Sequence, residues 1–471
     1  MTNALENLVL GFAWFSLAYF LVLNTTYLVL IMLAAFDSID AARGATFAGH
    51  DDIFHSPLAP PITIIVPARN EAMTIVGCVG GLLHLRYPEF EVVVIDDGSD
   101  DQTFERLRDA FDLVEIPRVI RDDLPIVGLV MSTHSPRDRT DLLVVRKESI
   151  GRPADAVNLG INAARNPLVC RVDADSYLDD DALLAVAKPF VEDPQNVVAA
   201  GAAIRVANGS KVYEGRVVDA HAPPGWLARI QAVEYLRAFL LGRAGWSRLH
   251  GLLFVSGAFG LFRRDLLVEI GGMDTGSEGD DVELVLRLQH HLRRARRRYR
   301  VAFVARSCCW TQVPSTYSVL ARQRRRWGQI LAEALWAHRT MFVNPRYGFM
   351  GLVVLPYYLV FELLGAVVEL AAFPVFILGM ALGTVEPSLT LLFVVIGFGY
   401  AAFLSIMALA IEELAYPRYR GWRDLWLMFL AAILENLGYR QMYAWWRLRG
   451  VARAARGHPA TWLPESTATA A

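Results

Sequence analysis

Residues 8–36 contain no Lys, Arg, Asp or Glu and are apolar almost throughout. About 20 such residues suffice for a helix to cross the hydrocarbon of a bilayer. The run therefore ties whatever follows it to a membrane. It is too long for a secretory leader and has no basic segment ahead of it, so residues 1–37 read as a transmembrane anchor. Residues 38–60 are polar, contain Gly and Pro, and read as a linker.

A different texture begins at Pro61. ITIIVPARNE, EVVVIDDGSDD, LLVVRKE and LVCRVDAD are apolar runs that end in polar or acidic residues. Helical patterns separate them, one running to about residue 85, one starting near Thr103 and one over 154–164. Apolar strands alternating with helices predict an α/β domain, a mostly parallel sheet covered by helices on both faces. Residues 197–206 and 251–262 read as further strands, and 226–241 as an amphipathic helix. The domain, 61–344, is large enough for its own core.

Beyond 344 the chain turns apolar again. Residues 349–385 carry only Glu362 and Glu369 as charges, and 389–411 form a second clean span. Arg339 and Arg346 precede the first of these, Arg418, Arg420 and Arg423 follow the second, and GTVEPS between them has no basic residue. The positive-inside rule then places the soluble domain in the cytoplasm of a multi-pass inner-membrane protein. Residues 425–448 mix apolar and charged residues between basic flanks. They read as interfacial or re-entrant, a third crossing being the alternative. Thus 345–456 is a C-terminal membrane region and 457–471 a disordered tail.

Composition excludes some partners. With 46 Lys+Arg against 48 Asp+Glu the charge is nearly balanced, which argues against a nucleic-acid partner. Cys78, Cys170, Cys308 and Cys309 lack metal-ligand spacing and read as buried thiols in a reducing compartment. The run HHLRRARRRYR (290–300) reads as a solvated helix end facing the membrane.

The chemistry concentrates at Asp173-Ala174-Asp175. Residues two apart in an extended chain point the same way, so these carboxylates stand together at the C-terminal end of a strand, where open α/β sheets bind ligands. Two hard oxygen ligands with room for phosphate oxygens suit Mg²⁺ or Mn²⁺ holding a nucleotide diphosphate.

IVPARNE, VVVIDDGSDD, RVDAD, SGAFGLFRRD, GDD and QRRRW, in this order, resemble the membrane-embedded family 2 glycosyltransferases of GT-A fold. The resemblance is strongest to the processive group that contains the cellulose, hyaluronan and poly-N-acetylglucosamine synthases. It covers about residues 60–340. It implies a UDP-sugar donor, with Asp96 of the Asp96-Asp97 pair accepting the uracil imide N–H and Pro67, Arg69 and Glu71 flanking base and ribose. Where the family has GGKADALN this chain has GRPADAVN. Asp155 and Asn158 match, whereas Pro153 replaces the Lys that would approach the diphosphate, leaving Arg152 and Lys147 as substitutes. Gly279-Asp280-Asp281 resembles the motif whose last Asp is the general base, so Asp281 would deprotonate the acceptor hydroxyl and Asp280 stands beside it. Attack opposite the departing UDP inverts the anomeric centre and turns an α-linked donor into a β-linkage. Gln323, Arg326 and Trp327 match QxxRW, where Trp327 would stack on the acceptor sugar, with Gln323 near it, and Arg326 would meet the diphosphate. Arg324 and Arg325 read as contacts to lipid headgroups.

These implications define two activities. One is processive synthesis, adding sugar to the non-reducing end of a growing β-linked polysaccharide and feeding it outward, with a homo-oligomer or export partner completing a thin conduit. The alternative is transfer of one sugar to a lipid acceptor.

Overall fold

The computed structural model describes residues 2–45, 59–277, 280–417, 419 and 421–458. Most of the 38–60 linker, Gly279, Arg418, Arg420 and the tail from residue 459 lie outside the described residues, as does the side chain of Asp280.

The strands are β1 (Ile62–Ala68), β2 (Phe90–Asp97), β3 (Leu113–Glu115), β4 (Val130–Pro136), β5 (Leu142–Lys147), β6 (Leu168–Val172), β7 (Tyr177–Leu178), β8 (Val197–Val206), β9 (Lys211–Tyr213), β10 (Arg216–Asp219), β11 (Phe259–Arg263) and β12 (Arg300–Thr311). Ten form one mixed sheet in the order β3-β4-β5-β2-β1-β6-β11-β8-β12-β7, and β9 pairs with β10 apart from it. Its centre is parallel: β5, β2, β1 and β6 run together. Strand β11 then inserts antiparallel between β6 and β8.

Side chains alternate between two cores, as the period of two requires. Ile64, Val66, Val92 and Val94 face the helices Ile75–Leu82, Thr103–Phe111 and Ala182–Glu192. Ile65, Val93 and Ile95 face the helix Pro153–Ala163 and the helix Asp280–Arg294. Both faces being covered explains why these strands read as unbroken apolar runs. The chain builds outward from β1 through β2 to β5, then crosses to β6 on the other side. This reversal puts a crevice at the C-terminal ends of β1 and β6.

Two expectations are corrected. Of the 251–262 run only residues 259–262 are strand, the start of β11; residues 251–256 make no ladder, and Val255 packs over Gly201 and Gly260 of the sheet. The helix foreseen over 226–241 ends as Trp226–Phe239 and continues as a π-helical turn, Leu240–Ala244. Strands β3, β4, β7, β9, β10 and β12 have no counterpart in the sequence reading.

Among the described residues two helices are long and apolar enough to cross a membrane, Ala4–Phe36 and Pro387–Ala415, and Met350–Leu363 with Gly365–Ala381 forms a third candidate bent by 40°. Val9, Leu17 and Phe20 of the first helix pack with Phe376 and Phe393 of the C-terminal region. The 425–448 segment is broken: Leu437 (φ −105°, ψ 95°) and Gly438 (φ 86°, ψ −43°) leave helical space between Trp422–Leu434 and Arg440–Ala455. Its second half lies against the Tyr317–Ala337 helix so closely that a Cβ on Gly450 would stand 2.1 Å from the Arg325 carbonyl oxygen. All four cysteines are buried, and none forms a disulfide among the described residues.

Candidate active site

A cavity of about 550 Å³ opens at the C-terminal ends of β1, β2 and β6. Pro67, Arg69 and Glu71 line it after β1, Asp97 after β2, and Asp173 and Asp175 after β6. The first two loops are laced together. Asn70 N donates to Ser99 Oγ (3.1 Å), Glu71 N to Thr103 Oγ1 (2.8 Å) and Ala72 N to Asp101 Oδ2 (3.1 Å). The β1 loop is thereby held by side chains, not by sheet.

Cross-strand register decides the fate of the Asp96-Asp97 pair. Asp96 stands opposite Arg146 and Asp97 opposite Lys147. Asp96 is 1% exposed, accepts from Arg146 Nε (3.3 Å) and Ser99 N (3.1 Å), and is absent from the cavity wall. Asp97 reaches the wall instead and is held by Lys147 Nζ (2.7 Å) and Ser149 Oγ (3.1 Å). Of the pair expected at the nucleotide, Asp97 and not Asp96 lines the cavity.

Lys147 is corrected as well. It is wholly buried between Asp97 (2.7 Å) and Asp155 (2.9 Å), so it cannot meet a diphosphate in the crevice. Asp155 and Asn158, matched by motif, are likewise off the wall. Asp155 accepts Val127 N (2.9 Å) and Gly128 N (3.2 Å) besides Lys147. Asn158 bridges the Met273 amide (2.7 Å) and carbonyl (2.9 Å). Both brace the loops around the crevice without lining it. Arg152, by contrast, lines the cavity and donates to the Thr275 carbonyl.

The acidic side of the crevice suits a divalent cation. Asp173 keeps a side chain 39% exposed, with Arg171 at 3.6 Å. Burial pushes the Glu71 carboxyl up, and the like charges of Asp173 and Asp101 push the same way against a hydrogen bond from Thr74. Among the described residues no cluster of three or more His, Cys, Asp or Glu could form a closed cage. Two carboxylates in a negative field, with the other positions left to phosphate and water, are the donor set Mg²⁺ or Mn²⁺ takes in nucleotide sites.

Asp281 opens the Asp280–Arg294 helix and lines the same cavity. Its Oδ2 accepts from Gly257 N (3.2 Å) and its Oδ1 from Val282 N (2.9 Å). A Cβ on Gly257 would lie 3.7 Å from both the Arg171 guanidinium and the Asp281 Cβ. The carboxylate is thereby oriented by backbone amides on the same cavity wall as Asp173 and Asp175.

Gln323, Arg326 and Trp327 come to the cavity from the Tyr317–Ala337 helix. Arg324 does not face lipid. It is wholly buried, paired to Glu234 (2.9 Å), and its guanidinium lies 4.1 Å from the centre of the Trp327 ring. Tyr235 flanks that ring at 6.5 Å between centroids. Glu234, Tyr235, Arg237 and Arg243 were missed at the sequence level. The signal was present as Glu and Arg within an otherwise apolar helix, EYLRAFLLGR.

Past Trp327 the cavity continues into the C-terminal membrane region. Its wall there includes Glu362, Glu369, Glu435, Arg440 and Arg447. Each of these carboxylates has a cation: Arg447–Glu362 3.1 Å, Arg440–Glu369 3.4 Å and Arg237–Glu435 2.5 Å.

Residues 168–411 match the model of glycosyl transferase family group 2, and residues 63–124 that of glycosyl transferase family 2. The poly-beta-1,6-N-acetyl-D-glucosamine synthase of Staphylococcus aureus (strain COL) is 28% identical over 270 residues, 57% of this chain and 54% of that protein. Its Staphylococcus epidermidis counterpart is 27% identical over 268 residues. The chain spans about half the length of these relatives. Among solved structures, a mannosyltransferase from Pyrobaculum calidifontis in complex with GDP-Man and Mn²⁺ is similar at TM-score 0.48 and 19% identity, covering 91% of this chain and 99% of its own. Residues 1–349 of S. aureus TarS in complex with UDP are similar at TM-score 0.37 and 14% identity, covering 81% and 91%. The mixed sheet with its parallel centre agrees with the GT-A class that the motifs implied, and the family match spans more than half the chain. The protein belongs to glycosyl transferase family group 2 and is a glycosyltransferase.

Proposed function

We propose that this glycosyltransferase is a processive synthase. It moves a sugar from a UDP-sugar to the non-reducing end of a growing β-linked polysaccharide at the cytoplasmic face of the membrane. The observation that carries the reading is the continuity of one cavity from Asp173 and Asp175 past Trp327 to Glu362, Glu369 and Glu435. A wall that continues beyond Trp327 with Glu362, Glu369, Glu435, Arg440 and Arg447 suits a hydroxyl-rich chain better than the apolar tail of a lipid acceptor. The staphylococcal relatives, named as poly-beta-1,6-N-acetyl-D-glucosamine synthases, support an amino-sugar polymer.

In this reading Pro67, Arg69, Glu71 and Asp97 receive the nucleoside. Asp173 and Asp175 hold Mg²⁺ or Mn²⁺, which supplies positive charge to the diphosphate when bound. Arg326 adds a fixed cation there. Trp327 presents a flat face to the terminal sugar, and the Arg324–Glu234 pair beneath it holds the ring in place. Asp281 takes the proton of the attacking hydroxyl. As the new C–O bond forms, the anomeric bond to the diphosphate breaks on the opposite side and its electrons leave with UDP. The break at Leu437–Gly438 supports reading the 425–448 segment as a re-entrant or interfacial support for the platform. A second copy of the chain or an export partner completes the outward path.

The test is product analysis: membranes containing the protein, supplied with radiolabelled UDP-N-acetylglucosamine and related UDP-sugars. Long, solvent-insoluble polymer is expected. A single sugar on an extractable lipid would replace the reading with the lipid-transferase alternative.

A further inference from the structure

Arg243 differs from the arginines deeper in the cavity wall. Arg237, Arg440 and Arg447 each meet a carboxylate within ion-pair distance. Arg243 lies in the π-helical turn Leu240–Ala244 and has no such partner among the described residues. Its guanidinium carbon stands 4.1 Å from the centre of the Phe239 ring and 4.7 Å from that of Phe254. Its Nη1 is buried and makes no hydrogen bond. Phe239, Gly242, Arg243 and Phe254 all line the cavity, on the stretch that also holds Asp281 and Trp327.

A guanidinium is never discarded as neutral, and its donors lie in a fixed plane. Two aromatic faces stabilise its charge without using those in-plane donors. A buried N–H left without an acceptor costs free energy until something supplies one. Burial also lowers the Arg243 pKa to about 10, and Asp281 is the carboxylate whose field most opposes this. The site therefore presents a cation on the cavity wall, held between two rings, with one donor unsatisfied, in the field of Asp281.

We propose that Arg243 is an acceptor-binding residue: it donates a hydrogen bond to an exocyclic oxygen of the terminal acceptor sugar, with Phe239 and Phe254 framing it. The proposal rests on the polysaccharide-synthase reading and adds to it a specificity element distinct from QxxRW. A sugar oxygen so held fixes which hydroxyl faces Asp281, something the flat Trp327 face cannot do. Arg243 therefore bears on where the new bond is made as well as on affinity.

The experiment uses the full-length protein in detergent or nanodiscs, UDP-N-acetylglucosamine as donor and a defined β-1,6-linked N-acetylglucosamine oligosaccharide as acceptor. Arg243→Gln should raise the acceptor KM by about tenfold, the scale of one lost hydrogen bond to a charged group. Donor KM and UDP affinity should stay within about twofold of wild type. Arg243→Lys, which keeps charge but not the planar fork, should fall between. Retained UDP binding shows that the variants are folded. An unchanged acceptor KM, or a shift of the acid limb of the pH–rate profile as the only effect, would overturn the assignment and leave Arg243 as a charge partner of Asp281. An equal loss of UDP binding would overturn it as well. Wild-type protein that elongates no oligosaccharide would sink the synthase reading and this proposal together. Active wild type with an indifferent Arg243→Gln sinks the proposal alone.

Discussion

Arg205 on β8 and Glu412 in the Pro387–Ala415 helix form a buried ion pair, Nη2 to Oε1 2.6 Å, across the junction of sheet and membrane region. Ser307 Oγ of β12 donates to the same carboxylate oxygen at 2.6 Å. The side chains are 4% and 2% exposed, so removing Glu412 leaves Arg205 in a dry setting with the more distant Glu413, at 3.7 Å, as its remaining carboxylate. Glu412→Gln should destabilise the protein by about 3–5 kcal/mol. Arg205→Met with Glu412→Leu should recover most of that. Thermal midpoints in detergent measure both, and a double variant no better than the single one would show that the pair stabilises by more than mutual compensation.

Asp281→Asn keeps the shape of the carboxylate and removes its basicity. Transfer should fall by about 10²–10⁴-fold, the range of a lost general base. UDP binding should persist, because in the proposed mechanism Asp281 acts on the acceptor and not on the nucleotide. Near-normal turnover would move the role to Asp280.

The crowding of Glu71 against Asp173 predicts opposite effects on two readouts. Glu71→Gln should raise the thermal midpoint of metal-free protein by relieving like-charge repulsion, and weaken its Mn²⁺ affinity. Chelator should abolish transfer and added Mg²⁺ or Mn²⁺ restore it. Activity undiminished in EDTA would exclude the metal from Asp173 and Asp175.

Trp327→Ala removes the ring on which the terminal sugar would rest between additions. By analogy with base stacking such a contact contributes about 1–3 kcal/mol, and each 1.4 kcal/mol is about a tenfold change in residence. Product chains should shorten steeply while UDP release continues. Chain length measured by gel filtration tests this, and full-length polymer from the variant would make Trp327 an interfacial anchor only.

His338 follows the Tyr317–Ala337 helix and meets His290 of the Asp280–Arg294 helix, Nδ1 to Nδ1 3.3 Å. Burial lowers its pKa to about 4, with the charges of His290 and Arg287 acting in the same direction. Its unfolded value is about 6.5. Between those values the unfolded chain binds a proton that the folded one refuses, so stability must fall as pH drops from about 6.5 toward 4. Melting midpoints from pH 7.5 to 5 should show the loss, and His338→Gln should flatten it. A slope unaltered by that substitution would assign the acid sensitivity elsewhere.

Much of the sheet was legible because β1, β2, β5 and β6 are buried on both faces and end in polar residues, a pattern local to each run. The same locality explains the misses. Nothing near Asp96 and Asp97 in the chain says which one reaches the crevice, since that follows from Arg146 and Lys147 standing opposite them on β5. Lys147 looked free because its second carboxylate, Asp155, arrives from a following helix. Arg324 looked like a lipid contact because Glu234 lies on a helix far back in the sequence. Strand β12 hid because its register shifts against β8 blur any period of two.

The crossing of the last helix with the Tyr317–Ala337 helix carries a practical consequence. A Cβ on Gly328 would meet the Arg447 carbonyl oxygen at 2.8 Å, and Gln329 Nε2 donates to the His458 carbonyl at 2.6 Å. Backbone rests on backbone directly beside Trp327. The final helix thus acts as a splint along the rear of the sugar platform. Trimming the chain before residue 440 would loosen Trp327 while leaving the crevice at β1 and β6 intact. Such a truncated protein should still recognise its nucleotide yet lose its grip on the polymer, so fusions and tags belong at the other end.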